Sequence, residues 1–176
     1  AYFALLDVVY RDLKTENLLI AADGSLRVID LGFSKVLDDG KTFTFCGTPD
    51  YVAPEVVRQR GYTISADLWS LGVLIFEMFT GKTPFGANDG DSVDTFGKIL
   101  AYALGGSPLA FPPNFPTAAK LLILELLEPE PEARLTADSA KGHSFFDGVD
   151  FMALERRQLP APYIPTLASA TDSSHF

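Results

Sequence analysis

The chain is poor in several residue types, and each shortage excludes a class of protein. It has one cysteine, Cys46, so no internal disulfide can form, and no Cys/His cluster offers a zinc site. A reducing, intracellular and cytoplasmic setting is therefore expected. Only 14 basic residues stand against 23 acidic ones, and the net charge of −9 argues against nucleic acid as a partner. The longest apolar run, residues 68–79, is too short to span a membrane, which takes about 20 residues.

What remains is the composition of an ordinary soluble, globular protein. Apolar residues make up 47% of the 176 positions and charged residues 21%, which is typical of a folded domain with a real core. The length fits one domain or a piece of a larger protein. The acidic balance suits a basic peptide as the partner.

Hydrophobic patterning predicts a mainly α fold with one small β-hairpin. The apolar triplet 18–20 and the mostly apolar stretch 26–29 flank an Asp-Gly turn, which is a strong hairpin signal. Helical periodicity predicts helices over 65–80, 93–104, 118–127 and 136–141, with Gly81 ending the first. Residues 1–9 are predicted to end a helix that starts upstream. From Asp147 onward, an extended surface tail is expected.

A short polar loop between two apolar flanks is the first candidate site. Residues 10–17 bring together the acid Asp12, the bases Arg11 and Lys14, and the amide Asn17. Such groups can accept a hydroxyl proton, neutralise phosphate charge and ligate a hard cation through oxygen. Taken alone, the stretch fits a solvated charged turn better. Further motifs in order along the chain change that interpretation.

Those motifs together resemble the C-terminal lobe of a eukaryotic protein kinase. They are Tyr10-Arg11-Asp12 with Asn17, Asp30-Leu31-Gly32, Thr44 to Tyr51, Ala53-Pro54-Glu55, Asp67 to Gly72, Arg134, His143 to Phe146, and Ala161 to Pro165. The resemblance is to the AGC group, nearest the cyclic-nucleotide-dependent kinases. It implies a kinase-like C-terminal lobe over residues 1–146 and the start of an AGC-type C-terminal tail over 147–176.

The resemblance implies a serine/threonine protein kinase that uses ATP and Mg²⁺. Asp12 is then expected to accept or orient the substrate hydroxyl, and Lys14 to neutralise the transferring phosphate. Asn17 and Asp30 are expected to hold magnesium, and Thr48 to support Asp12 and Lys14 by hydrogen bonding. The resemblance also implies contacts with ATP for Glu16, which lies in the polar loop, and for Phe176, the last residue of the sequence.

The same resemblance implies a basic peptide substrate. Glu16 and Glu77 match positions that bind an arginine before the target residue in basophilic relatives. Three residues are expected to form an apolar pocket for the residue after the target: Phe45, Pro49 and Val52. The alternatives are solvated or internally paired carboxylates for the acids, and core packing for the apolar trio.

Regulatory and structural roles follow by resemblance as well. Thr44 occupies the position of an activating phosphothreonine, with Arg11 and Lys35 as cationic partners for the phosphate. The alternative is an ordinary strand-forming threonine, with Arg11 merely capping a backbone carbonyl. Thr44 to Tyr51 and Ala53-Pro54-Glu55 resemble the later part and the end of a kinase activation segment, and Glu55 is expected to pair with Arg134. Asp67 belongs to the expected central helix.

Two features of a whole kinase are not found in these 176 residues. No two glycines are separated by a single residue, and none of the seven lysines lies in a V-A-I-K-like strand. An N-terminal lobe outside this sequence is therefore expected as a partner, and a regulatory subunit or domain is a further candidate. The alternative is a catalytically silent, pseudokinase-like binding module. The intact set Asp12, Lys14, Asn17 and Asp30 favours the enzyme.

Overall fold

A computed structural model describes residues 2–87 and 90–169. The helices are α1 (Tyr2–Leu5), α2 (Pro54–Val57), α3 (Ser65–Thr80), α4 (Ser92–Ala103), α5 (Thr117–Leu126), α6 (Ala137–Lys141) and α7 (Phe151–Glu155). The strands are β1 (Val8–Val9), β2 (Leu18–Ile20), β3 (Leu26–Val28) and β4 (Lys35–Val36), and single 3₁₀ turns cover Thr15–Asn17, Pro49–Tyr51 and Ser144–Phe146. The predicted class, mainly α with a small β-hairpin, is confirmed.

The chain forms two compact units, which are described separately. The larger contains Ala1–Lys14 and Leu31–Asp147. The smaller contains Thr15–Asp30 and Gly148–Phe176. The predicted division into residues 1–146 and 147–176 stays a prediction.

Helix α3 is the centre of the larger unit. It is apolar on nearly all sides, so it buries Trp69, Val73 and Phe76 among other residues, and it packs against α5. The two helices approach closely at Gly72, where an added Cβ would lie 3.0 Å from the Cβ of Leu126. Gly81 ends the helix as predicted, with a φ of +74° and its N–H donated to the Glu77 carbonyl.

The predicted hairpin is present in the smaller unit. Strands β2 and β3 pair antiparallel, with Leu18 opposite Val28 and Ile20 opposite Leu26. Beyond the last pair, the Ile29 N–H donates to the Asn17 carbonyl at 3.0 Å. The turn at the other end is closed by the Gly24 N–H, which donates to the Ala21 carbonyl at 2.8 Å. The hairpin therefore has a turn end near Gly24 and an open end near Asn17.

Three sequence expectations about local structure are wrong in detail. In the described residues there are two small sheets rather than one, because β1 pairs antiparallel with β4 in the larger unit. The first segment is a four-residue helix followed by strand β1, not a helix through residue 9. The tail is not wholly extended, since α7 interrupts it, with the Asp150 side chain accepting from the Ala153 N–H at 3.0 Å. These elements have two to five residues, too few for a periodic pattern.

The long helices lie within a residue or so of their predicted bounds. Two of them are capped by side chains that accept backbone N–H groups: Asp91 at α4 and Thr136 at α6. Within the ranges 2–87 and 90–169, no helix combines the length and apolar character needed to cross a bilayer.

Candidate active site

The polar loop and the activation segment meet at a cluster of three side chains in the larger unit. Lys14 Nζ lies 3.1 Å from Asp12 Oδ2 and donates to Thr48 Oγ1 at 2.8 Å. Thr48 Oγ1 in turn donates to Asp12 Oδ1 at 2.7 Å. Asp12 is 5% exposed and Lys14 side chain 21% exposed, so the carboxylate is buried while the ammonium still reaches the surface. The structure thus brings together three predicted catalytic residues, whose roles in a reaction stay predictions.

Asp67, in the first turn of α3, holds the backbone just before Asp12. Its two carboxylate oxygens accept the N–H groups of Tyr10 and Arg11 at 2.7 and 2.8 Å. Arg11 has a φ of +74°, a conformation that non-glycine residues rarely adopt and that needs such external support. Burial raises the pKa of Asp67, and the two backbone N–H groups oppose that rise. This residue, predicted only as part of the central helix, therefore sets the main-chain path of the candidate catalytic loop.

The open end of the hairpin carries the two predicted magnesium ligands in the smaller unit. Asn17 precedes β2, and Asp30 follows Ile29, whose N–H bonds to the Asn17 carbonyl. Asp30 has a φ of +57°, a left-handed conformation that non-glycine residues rarely adopt. Both side chains offer oxygen atoms, and Mg²⁺ is commonly held by one or two such ligands together with substrate phosphates. The described residues contain no group of three or more His, Cys, Asp or Glu that could hold a metal alone. Asn17 and Asp30 carry oxygen donors of the kind that magnesium uses, and their role as ligands stays a prediction.

A buried ion pair joins the end of the activation segment to a late loop. Arg134 Nη1 and Nη2 donate to Glu55 Oε1 and Oε2 at 2.7 and 3.0 Å, a bidentate arrangement. The guanidinium also donates to the carbonyls of Ser65 and Glu128 and lies 5.3 Å from the centroid of the Trp69 ring. The contact expected between Glu55 and Arg134 is thus present, in a site with every guanidinium nitrogen bonded.

The two acids predicted to bind substrate arginines lie in different units. Glu77, in the last part of α3, is half-buried and accepts a hydrogen bond from the Tyr51 hydroxyl. Glu16 is exposed in the smaller unit and accepts from the Thr15 hydroxyl at 3.1 Å. The sequence did not predict that Tyr51 holds Glu77. Its place at the end of the Thr44 to Tyr51 motif was the only feature that pointed to it.

The three residues predicted to form an apolar pocket have different surroundings. Val52 is buried, and Pro49 begins a 3₁₀ turn. Phe45 is exposed, and its ring meets Phe96 of α4 edge-on at 5.7 Å between centroids. The pocket itself stays a prediction, while the contact of Phe45 with α4 was not expected.

The surroundings of Thr44 are organised by Tyr62, another residue that the sequence reading missed. Thr44 is exposed, and its carbonyl accepts from the Tyr62 hydroxyl at 2.7 Å. The pKa of Tyr62 is raised to about 12, mainly by burial of the phenol. The Cys46 thiol, 3.7 Å from the hydroxyl, also raises this pKa, whereas Arg11 lowers it. The phenol therefore stays a neutral donor. A backbone bridge between Tyr62 and Thr42 gave no sequence signal, since it joins single residues.

The two cationic side chains predicted to bind a phosphate on Thr44, Arg11 and Lys35, each donate a hydrogen bond to another residue. Arg11 Nε donates to the Phe33 carbonyl, while its buried Nη1 has no hydrogen-bond partner among the described residues. Lys35 Nζ donates weakly to Thr42 Oγ1 at 3.4 Å. The last predicted residue, Phe176, lies outside the described residues.

The mainly helical fold with small antiparallel sheets is consistent with the class of protein-kinase C-terminal lobes. The family described as "Protein kinase domain" matches residues 1–146, and the chain belongs to that family.

Curated relatives cover nearly the whole chain. It is 40% identical to mouse cGMP-dependent protein kinase 2 over 181 residues, 99% of this chain and 23% of that protein. It is 42% identical to serine/threonine-protein kinase YPK1 of Saccharomyces cerevisiae over 176 residues, 97% of this chain and 25% of that protein. It is 42% identical to the cAMP-dependent protein kinase catalytic subunit of Dictyostelium discoideum over 175 residues, 97% and 26%. The resemblance to AGC-type kinases is confirmed. The chain spans about a quarter of the length of these relatives.

Proposed function

We propose that the protein containing this chain is an ATP- and Mg²⁺-dependent kinase that phosphorylates serine or threonine in basic peptides. The observation that carries the proposal is the contact among Asp12, Lys14 and Thr48. A buried carboxylate beside a partly exposed ammonium suits proton acceptance next to a phosphate.

The proposed chemistry divides between proton transfer and charge neutralisation. Asp12 orients the substrate hydroxyl and accepts its proton, while Thr48 holds the carboxylate through the bond to Oδ1. Lys14 moves its ammonium from Asp12 toward the incoming phosphate, a short change since the amine is already partly exposed. Asn17 and Asp30 would hold the magnesium ion. When bound, the metal–nucleotide complex supplies the phosphoryl group and a cation that neutralises its developing charge.

The peptide preference in the proposal comes from Glu77 and Glu16. Glu77 is held by the Tyr51 hydroxyl, so its carboxylate is oriented before any peptide binds. Exposed Glu16 has its carboxylate in solvent reach. Together with the net charge of −9, these acids favour arginine residues two and three positions before the phosphorylated residue.

The proposal includes a phosphorylation switch at Thr44. Phosphate there would add about −1.5 to −2 charges on an exposed side chain. Arg11 contributes a buried Nη1 that has no hydrogen-bond partner in the described part of the chain, and it adjoins Asp12 in sequence. A phosphate bound by Arg11 and Lys35 would tie the activation segment to the catalytic loop. The single free Cys46 supports the proposed cytoplasmic location, and a regulatory subunit stays a prediction.

The test is phosphate transfer from labelled ATP to an arginine-containing serine peptide by the full-length protein. Asp12→Asn keeps the size and one acceptor oxygen for Thr48, so we expect a folded protein with kcat lowered roughly 10²–10⁴-fold, the range for losing a positioned base. Asp138→Asn, an exposed residue of α6, is the matched control and should retain the wild-type rate. Unchanged turnover in Asp12→Asn would contradict the role of Asp12. A wild-type protein that transfers no phosphate would favour a binding module.

A further inference from the structure

The turn of the hairpin is in direct contact with the tail inside the smaller unit. Gly24 has a φ of +78°, and a Cβ placed there would lie 2.5 Å from the Tyr163 carbonyl oxygen and would also collide with the Ala161 side chain. Real Cβ atoms essentially never approach other atoms so closely. The tail segment 159–164 therefore lies on the turn at a distance that only glycine permits.

Two further interactions join the same parts. Arg157 Nη1 lies 3.7 Å from Asp23 Oδ2, and the other oxygen of Asp23 accepts from the Ser25 N–H at 2.9 Å, which shapes the turn. Helix α7 and the reversal after it direct the tail toward the hairpin, with the Gln158 N–H donated to the Ala153 carbonyl at 2.8 Å. A groove between turn and tail is lined by three leucines: Leu26, Leu154 and Leu159.

The hairpin needs external support to keep a single conformation. Its strands have three residues each, and an isolated two-stranded hairpin is marginally stable at best in water. Ile20 and Leu26, next to the turn, are 50% and 62% exposed, so they contribute little apolar burial. Within this unit, the tail is the element that contacts the turn.

The opposite end of the same hairpin bears Asn17 and Asp30. Three residue pairs connect the two ends, with the Ile29 to Asn17 hydrogen bond closing the ladder. We propose that tail residues 159–164 are positioning residues that hold the hairpin so that Asn17 and Asp30 are pre-arranged for a magnesium ion. This inference rests on the proposed function, since that function assigns the metal to these two residues.

The test uses the full-length protein with two variants at the contact and one control. Gly24→Ala adds the colliding Cβ from the turn side. Ala161→Leu enlarges the tail side without changing the turn backbone, so it decides the case if Gly24→Ala does not fold. Gly105→Ala is the matched control, because Gly105 has a φ of +74° but no atom within 4 Å of an added Cβ. The control thus reproduces the backbone strain without the collision.

Three measurements report on the positioning. Hydrogen exchange of amides 17–30 should accelerate in both contact variants and not in Gly105→Ala. Mn²⁺ binding in the presence of a non-hydrolysable ATP analogue, followed by the paramagnetic resonance of free Mn²⁺, should weaken roughly tenfold, as for lost outer-shell support of metal ligands. The Mg²⁺ concentration for half-maximal activity should rise by a similar factor, with kcat at saturating Mg²⁺ changed by less than about twofold.

The outcomes separate this inference from the function on which it rests. Weaker Mn²⁺ binding in the contact variants, with no phosphate transfer even by the wild type, would support the inference and refute the proposed function. Faster exchange with unchanged Mn²⁺ affinity would overturn the inference, because the tail would then order the hairpin without positioning the ligands. Unchanged exchange, equal effects in the control, or no Mn²⁺ binding by the wild type would overturn it as well.

Discussion

Removal of Glu55 should be among the most destabilising single changes in this chain, because it leaves a charged guanidinium buried without its partner. In the Glu55→Ala variant, Arg134 would keep its hydrogen bonds to the Ser65 and Glu128 carbonyls. It would lose both charged acceptors, in a site where its side chain is 0% exposed and that of Glu55 is 6% exposed.

Breaking such a buried pair typically costs about 3–5 kcal/mol of unfolding free energy. The pair Asp94–Lys98 provides the comparison, since its atoms are similarly close at 2.8 Å but its side chains are 54% and 43% exposed. For an exposed pair one turn apart on a helix, about 0.3–0.5 kcal/mol is expected. The buried pair should therefore cost roughly ten times more unfolding free energy than the exposed pair, although the charges are similarly close in both.

Urea unfolding followed by tryptophan fluorescence measures both costs. Trp69 is the single tryptophan of the chain, and its ring lies 5.3 Å from the Arg134 guanidinium carbon, so it reports on this site. With a denaturant dependence of about 2 kcal/mol per molar urea, Glu55→Ala should lower the midpoint by roughly 1.5–2.5 M. Lys98→Ala should lower it by about 0.2 M.

A double variant, Glu55→Gln with Arg134→Met, sharpens the test. It removes both charges at once, so it should be less destabilised than the sum of the two single changes. Equal midpoints for Glu55→Ala and Lys98→Ala would refute the reasoning. Additive losses in the double variant would show that the guanidinium and the carboxylate do not stabilise the fold as a pair.

Two further predictions concern the proposed activity of the full-length protein. Thr44→Ala and Arg11→Ala should each lower the rate by about tenfold, the value of one charge-assisted hydrogen bond. The double variant should be little worse than either single variant. Additive losses would show that the two residues do not act as a pair. Glu77→Gln keeps an acceptor for Tyr51, and it should lower kcat/KM for a peptide with arginine before the target by roughly 10–100-fold. The alanine analogue of that peptide should be little affected, and an equal loss on both peptides would contradict substrate recognition by Glu77.

The fold was predictable where a long pattern carried the signal. Helix α3 has sixteen residues, nearly continuous apolar character and a glycine after its last residue, so its length and its C-terminal end could be predicted. Strands β1 and β4 have two residues each, and their pairing joins Val8 to Val36 across the sequence. No local pattern encodes such a pairing, because a two-residue strand shows no alternation.

The chemistry of the candidate site was predictable from motifs, whereas its supports were not. The acid, base and amide of residues 10–17 were identified by type and spacing. The carboxylate that holds the N–H groups of Tyr10 and Arg11 comes from Asp67. Likewise, the close approach of Tyr163 to Gly24 joins residues that are far apart in sequence. Contacts of this kind depend on tertiary structure, which residue spacing alone does not determine.

The link from Asp67 to the catalytic loop also bears on how the protein is made. Asp67 lies 57 residues after Tyr10 and 56 after Arg11. At a translation rate of about 5–20 residues per second, the ribosome adds Asp67 roughly 3–11 s after the loop has been synthesised. During that interval the Asp67 carboxylate is not yet there to accept the N–H groups of Tyr10 and Arg11, so the loop lacks this support. The candidate catalytic loop is therefore completed only after α3 has emerged, and a nascent chain that pauses before residue 67 would expose an unformed site to chaperones and proteases.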